Sequence, residues 1–186
     1  SVHANYQLMD LKTGTLLAIL DGAELTARRT AAASALASRY LSRTDSSSML
    51  MVGTGILAPH LIRAHASQRE IKAVKIWGRR LEKAASVAAA IDLPGVAVEA
   101  VSDLEAAMVD VDIISCATLA NAPLIKGKWL RAGQHLDLVG GFTRDMRETD
   151  DEAIIRSRVF VDTNDAIETT GDIFDPLRRG VIGTKD

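Results

Sequence analysis

The segment Ser46–His60, SSSMLMVGTGILAPH, passes from three serines through an apolar run into two glycines and then a helical pattern. An apolar run of this length bounded by turn residues reads as a buried strand. Strand, tight glycine turn and helix together match the dinucleotide fingerprint G-x-G-x-x-G/A. Its members here are Gly53, Thr54, Gly55, Ile56, Leu57 and Ala58. In that reading Gly53 permits the turn, and Gly55 lets the backbone approach a pyrophosphate without a colliding Cβ. Ala58 keeps the helix close to the strand. The free N–H groups and dipole at the helix start suit phosphate.

Downstream, strand and helix patterns alternate. Ala73–Trp77 reads as a second strand, Leu81–Ile91 as a helix ended by Leu93-Pro94-Gly95, and Val96–Val98 as a short third strand. Ser102 and Glu105 form a capping box before a short helix. Val111–Cys116 is apolar at every other position and more, and reads as a fourth strand; Gln134–Val139 is a fifth, ending in Gly140-Gly141. A second capping box spans Thr149–Glu152, opening a helix to Ile155. Arg158–Val161 reads as a sixth strand, and a last short helix runs from Gly171-Asp172 through Leu177 to a stop at Gly180. Two-faced apolar strands alternating with helices predict a parallel sheet covered on both sides. The fold class is therefore α/β, a Rossmann-type doubly wound sheet in three layers, αβα, with strand order 3-2-1-4-5-6. The ligand crevice then falls between the ends of the first and fourth strands, facing Gly53–Ala58 toward Ser115–Thr118.

Upstream, Asn5–Leu11 and Thr15–Asp21 flank Lys12-Thr13-Gly14 and read as a β-hairpin. Such a hairpin is foreign to a minimal dinucleotide fold, so residues 1–22 are expected to belong to another domain. Thr26 is the expected N-cap of an Ala-rich helix running to Arg43, within a connecting segment 23–45. The binding domain is expected over 46–175, with 176–186 leading back toward the other domain. The chain opens at Ser1 on a strand already under way, so an N-terminal part is expected before it.

Composition sets the remaining bounds. The 186 residues are 47% hydrophobic and 25% charged, with a net charge of −2. This is ordinary for a globular protein, and no basic run points to nucleic acid or to a membrane surface. No signal peptide or membrane span is visible, so a cytoplasmic location is the expectation. The single cysteine, Cys116, excludes an internal disulfide, and His3, His60, His65 and His135 are not at ligand spacing, so no metal is expected.

Several short matches, in order along the whole chain, resemble the ornithine cyclodeaminase/mu-crystallin family. They are Thr26-Ala-Arg-Arg29-Thr-Ala-Ala32, Met51–Gly55, Ile76-Trp-Gly-Arg79, Cys116-Ala-Thr118 with Pro123, and His135–Phe142. Asp145-Met-Arg-Glu148 and Gly171-Asp172 with Pro176-Leu177 complete the set. The resemblance implies hydride transfer between a nicotinamide and a carbon bearing nitrogen. The substrate class is a small amino or imino acid, as for a ketimine or pyrroline-2-carboxylate reductase. It implies that Arg29 holds the substrate carboxylate, a role that suits a forked guanidinium. The general acid or base would be a lysine outside this chain, and a homodimer would form through the first domain. A true ornithine cyclodeaminase is one alternative, but that group carries an aspartate where Phe142 stands. A binding protein for NADPH and a small ligand, like the mu-crystallin branch, is another.

The cofactor contacts expected beyond the glycine turn are Gly78, Arg79 and Arg80 at the end of the second strand and Cys116, Ala117 and Thr118 at the end of the fourth. NAD sites place an acid at the end of the second strand to bind the ribose hydroxyls. Arginines there instead suit a 2′-phosphate, so NADP(H) is expected in preference to NAD(H).

Overall fold

The computed structural model describes residues 4–183. The expected ends of the hairpin and of the C-terminal segment, with His3, lie outside that range. The chain order is β1 (Asn5–Met9), β2 (Leu16–Asp21), α1 (Gly22–Leu41), β3 (Ser48–Val52), α2 (Leu57–Ala66), β4 (Ala73–Trp77) and α3 (Leu81–Ala90). Then follow β5 (Ala97–Val101), α4 (Leu104–Met108), β6 (Ile113–Cys116), β7 (His135–Leu138), α5 (Asp151–Ile155), α6 (Ala166–Thr169) and α7 (Gly171–Arg178).

Strands β3 to β7 form one parallel sheet in the order β5-β4-β3-β6-β7. The α/β doubly wound fold is as expected, with β3 at its centre. The period of two sorts the side chains into two layers. Met49 and Met51 of β3 pack with Val74, Ile76 and Ile113 beneath Leu61 and Ile62 of α2 and Ala84 of α3. Leu50 and Val52 face the other way, with Ile114 and Cys116, under Leu104 and Met108 of α4 and Ala153 of α5. Each of those β3 side chains is fully buried.

The expected sixth strand is absent: Arg158–Val161 has no ladder, and the sheet has five strands. Its apolar residues Phe160 and Val161 are exposed. β-branched and aromatic residues alone give no strand where the segment buries nothing against a neighbour. The helix after the hairpin is capped by Asp21, not Thr26. The Asp21 carboxylate accepts from the N–H groups of Ala23 and Glu24, and Thr26 Oγ1 donates to the Gly22 carbonyl. The two capping boxes also move by one residue, to Asp103 and Asp150.

The hairpin β1–β2 is a separate antiparallel sheet. Its turn forms as read: Asp10 accepts from the N–H groups of Lys12 and Thr13, and Gly14 has φ +70°. Helix α1 then packs on α2, and its buried residues, Ala27, Ala31, Ser34, Ala35 and Ser38 beside Gly22, are all small.

Candidate active site

The strand order reverses between β3 and β6. In an open parallel sheet, ligands bind just beyond the carboxyl ends of the strands at such a point. Two backbone bonds fasten the glycine turn there: the Gly53 N–H donates to Trp77 O (2.9 Å), and the Ala117 N–H donates to Val52 O (2.9 Å). Gly53 has φ +128°, and a Cβ on it would lie 2.5 Å from the Ala117 carbonyl oxygen. The turn and the end of β6 are thus in contact, which no side chain at position 53 would permit.

Gly55 is the opposite case. It is exposed, and a Cβ there would meet nothing within 4 Å. The space above it is open to a ligand. Helix α2 starts beside it with no side-chain cap and no acid in its first turn. Its leading N–H groups and the positive end of its dipole therefore face that space unneutralised. Ala58 is buried against the sheet. Thr54 reaches across to the end of β4, where a Cβ on Gly78 would lie 2.6 Å from Thr54 Cγ2. Beyond Gly78, Arg79 and Arg80 are exposed. Arg80 lies 3.8 Å from Glu82, whereas Arg79 has no ion-pair partner among the described residues. No acid ends β4.

At the end of β6 the structure separates the three expected contacts. Cys116 is fully buried, with its carbonyl accepting from the Val139 N–H. Burial first, then the charges of Glu148, Asp137 and Asp172, push its thiol well up, so it stays protonated. Ala117 adjoins Gly53. Thr118 is turned inward: its N–H and hydroxyl both donate to Glu148 Oε1 at 2.7 Å. The other oxygen, Oε2, accepts from the Gly140 N–H at 2.8 Å. Burial raises the Glu148 carboxyl, and nearby Asp172 adds to this, while the Thr118 and Gly140 donors pull it back down. The Asp172 carboxylate, also buried, accepts from the N–H of Glu148 and from the N–H and hydroxyl of Thr149. The sequence reading assigned Glu148 and Asp172 no role, although both stand in quoted matches.

Arg29 is exposed on α1 and has no ion-pair partner among the described residues; Arg28 pairs with Glu24. Phe142, directly after Gly140-Gly141, is 62% exposed. An open cavity of about 390 Å³ elsewhere is lined by Arg147 and Arg179, but both are engaged by Asp151 and Asp175. Among the described residues no cluster of His, Cys, Asp or Glu is placed to hold a metal ion, and no helix is long and apolar enough to cross a membrane.

The profile of the ornithine cyclodeaminase/mu-crystallin family matches residues 1–182. The chain belongs to that family. The Delta(1)-pyrroline-2-carboxylate reductase of Colwellia psychrerythraea is 40% identical, over 91% of this chain and 55% of its own length. The ketimine reductase mu-crystallin of Rattus norvegicus is 33% identical, over 93% and 55%. Among solved structures, Thermococcus litoralis Delta(1)-pyrroline-2-carboxylate reductase, in complex with NADH and L-proline, superposes with a TM-score of 0.90. It shares 35% identity over 95% of this chain and 55% of that one. The chain thus spans a little over half the length of the family members it matches.

Proposed function

We propose that this chain forms the dinucleotide-binding part of an NADP(H)-dependent reductase of small cyclic imino acids. The observation that carries this is the glycine turn at the switch point. Gly53 is locked against Ala117, and Gly55 leaves open space beside an uncapped helix start. Family membership, and the imine reductases among the relatives, support the same reading.

In this reading the N–H groups of residues 55–57 hold the pyrophosphate, and Thr54 with Gly78 borders the adenosine ribose. Arg79 pairs with a 2′-phosphate. Ala117 and Thr118 wall the nicotinamide side. When bound, the cofactor supplies the hydride that reduces the imine carbon. The chain's own residues orient it and keep that face against the sheet end. Arg29 forks onto the substrate carboxylate. Phe142 in place of an aspartate leaves an apolar neighbour with no proton to exchange, which favours imine reduction over ornithine cyclisation. A homodimer and a cytoplasmic location accompany the proposal.

Fluorescence titration with NADPH and NADH, on the chain and on Arg79→Ala, tests it. A charge-assisted bond contributes roughly 1.5–3 kcal/mol. The variant should therefore lose on the order of tenfold to a hundredfold in NADPH affinity and little in NADH affinity. Equal losses would remove Arg79 from the 2′-phosphate site, and no binding of either cofactor by the unaltered chain would end the proposal.

A further inference from the structure

Glu148 lies behind the switch point, 1% exposed, and its carboxylate holds two chain segments that are far apart in sequence. One is the loop leaving β6, through both donors of Thr118; the other is the loop leaving β7, through the Gly140 N–H. The glycine pair fits around this grip. A Cβ on Gly140 would lie 2.5 Å from Glu148 Oε1 and 2.1 Å from Thr118 O. A Cβ on Gly141 would lie 2.6 Å from Asp172 Oδ2. Asp172 in turn bonds the Glu148 N–H, and Gly171 packs so closely that a Cβ on it would lie 2.1 Å from Met146 O. Residues 118, 140–141, 148 and 171–172 thus form one buried clamp built on two carboxylates.

A buried carboxylate is costly to place without full hydrogen bonding. This one is bonded at both oxygens, and every donor belongs to a loop that borders the crevice. We infer that Glu148 is a positioning residue. It fixes the ends of β6 and β7 in the one arrangement that receives the nicotinamide half of the cofactor, and Asp172 holds Glu148 in place. The inference rests on the dinucleotide reading above. Glu148 touches no ligand itself; it acts through Thr118 and Gly140. In this reading the adenosine half lies across β3 and β4. The clamp reaches the glycine turn through Thr118, where a Cβ on Gly53 would lie 3.6 Å from Thr118 Cγ2. Its hydrogen bonds hold the ends of β6 and β7, so the two halves of the cofactor should respond differently to its loss.

The test compares each cofactor with the same molecule lacking nicotinamide: NADPH with 2′-phospho-ADP-ribose, and NADH with ADP-ribose. Binding is measured by calorimetry on the unaltered chain and on Glu148→Gln. The amide keeps the shape but presents an N–H₂ to the Gly140 N–H, donor against donor. A lost buried bond of this kind should weaken dinucleotide binding about tenfold or more and leave the nicotinamide-free ligands within about twofold. Thr118→Val removes a single donor and leaves the carboxylate in place, so it serves if Glu148→Gln does not fold. It should show the same split to a smaller degree, and Thr118→Ser should restore binding. Equal weakening of both members of a pair, or weakening of neither, would overturn the positioning role while the dinucleotide reading stood. No binding of any of the four ligands by the unaltered chain would overturn both.

Discussion

Gly53 and Gly55 differ by two positions and should fail in different ways. Alanine at 53 would carry φ +128° and push a Cβ to 2.5 Å from Ala117 O. Gly53→Ala should therefore cost roughly 1–3 kcal/mol of folding stability and show as a lowered melting temperature. Aspartate at 55 enters open space on an exposed surface, so the melting temperature should hold. Its bulk and charge then occupy the position assigned to the pyrophosphate, and NADPH binding should disappear. Retained binding in a folded Gly55→Asp variant would rule out this turn as the phosphate site. Charge at the residue scale also sets the acid limit of the fold. Asp137 on β7 is buried between α1 and α2, which alone would raise it. The hydrogen bond and charge of His65, 3.2 Å away, with bonds from Ser115 and Ser34, outweigh burial and hold it below the usual carboxylate range. Asp112 is opposed by burial and lowered by Ser47, Ser48 and Arg43 in the same way. A lowered folded value means the unfolded chain takes up the proton first. The stability these groups add is present above about pH 4 and is lost as pH falls through their folded values. Urea midpoints measured from pH 7 down to pH 3 should begin to fall below about pH 4, and Asp137→Asn should flatten part of that fall. Identical slopes would show that Asp137 does not contribute.

At the scale of the element, α1 carries the clearest packing constraint. Beside Gly22, its buried residues are Ala27, Ala31, Ser34, Ala35 and Ser38, all small, and the helix packs on α2 and β7. Ala31 is 2% exposed, so Ala31→Leu has no room and should cost about 1–3 kcal/mol, read as a drop in melting temperature. Unchanged stability would mean that the contact yields. The Ala-rich helix itself was legible in sequence, and so was the central sheet. Strands β3 and β6 are short, largely apolar runs bounded by turns, and burial on both faces requires that pattern; β4 and β7 carry a polar residue between apolar ones and are only partly buried. What was not legible depended on partners remote in sequence. Residues 158–161, Arg-Val-Phe-Val, have strand-forming side chains but find no neighbour to pair with. Asp21 caps α1, and Gly22 packs against Ala4, where a Cβ would lie 2.8 Å from the Ala4 carbonyl oxygen. The clamp around Glu148 was hidden for the same reason: its donors come from positions 118 and 140, and its support from position 172. No periodicity links those positions. The glycine turn, by contrast, is contiguous, and its geometry could be anticipated residue by residue.

At the scale of the whole molecule, the hairpin β1–β2 stands apart from the parallel sheet and is apolar on both faces. Tyr6 pairs with Leu20, and Leu8 with Ala18, on one side; Gln7 pairs with Ile19 on the other, beside Met9 and Leu17. Tyr6, Leu8, Met9, Leu17, Ile19 and Leu20 are each exposed by more than two-fifths. An isolated two-stranded sheet is marginal in water, and strands apolar on both faces belong in a sheet buried on both sides. The chain spans a little over half the length of these relatives, and among the described residues nothing covers these apolar side chains. On its own, the chain should therefore bind an apolar dye such as anilinonaphthalene sulfonate and associate with rising concentration in analytical ultracentrifugation. Replacing Leu17 and Ile19 with lysine charges one face only. The pair should reduce both effects, and adding Leu8→Lys should reduce them further by charging the second face. None of the three substitutions touches the core under β3, so NADPH affinity and the main melting transition should stay where they were. If dye binding and association persist in the triple variant, the association runs through another surface, with Leu36 and Tyr40 on α1 the next apolar candidates. If NADPH binding falls with the hairpin substitutions, the hairpin and the glycine turn are coupled and the two parts of the chain do not behave independently.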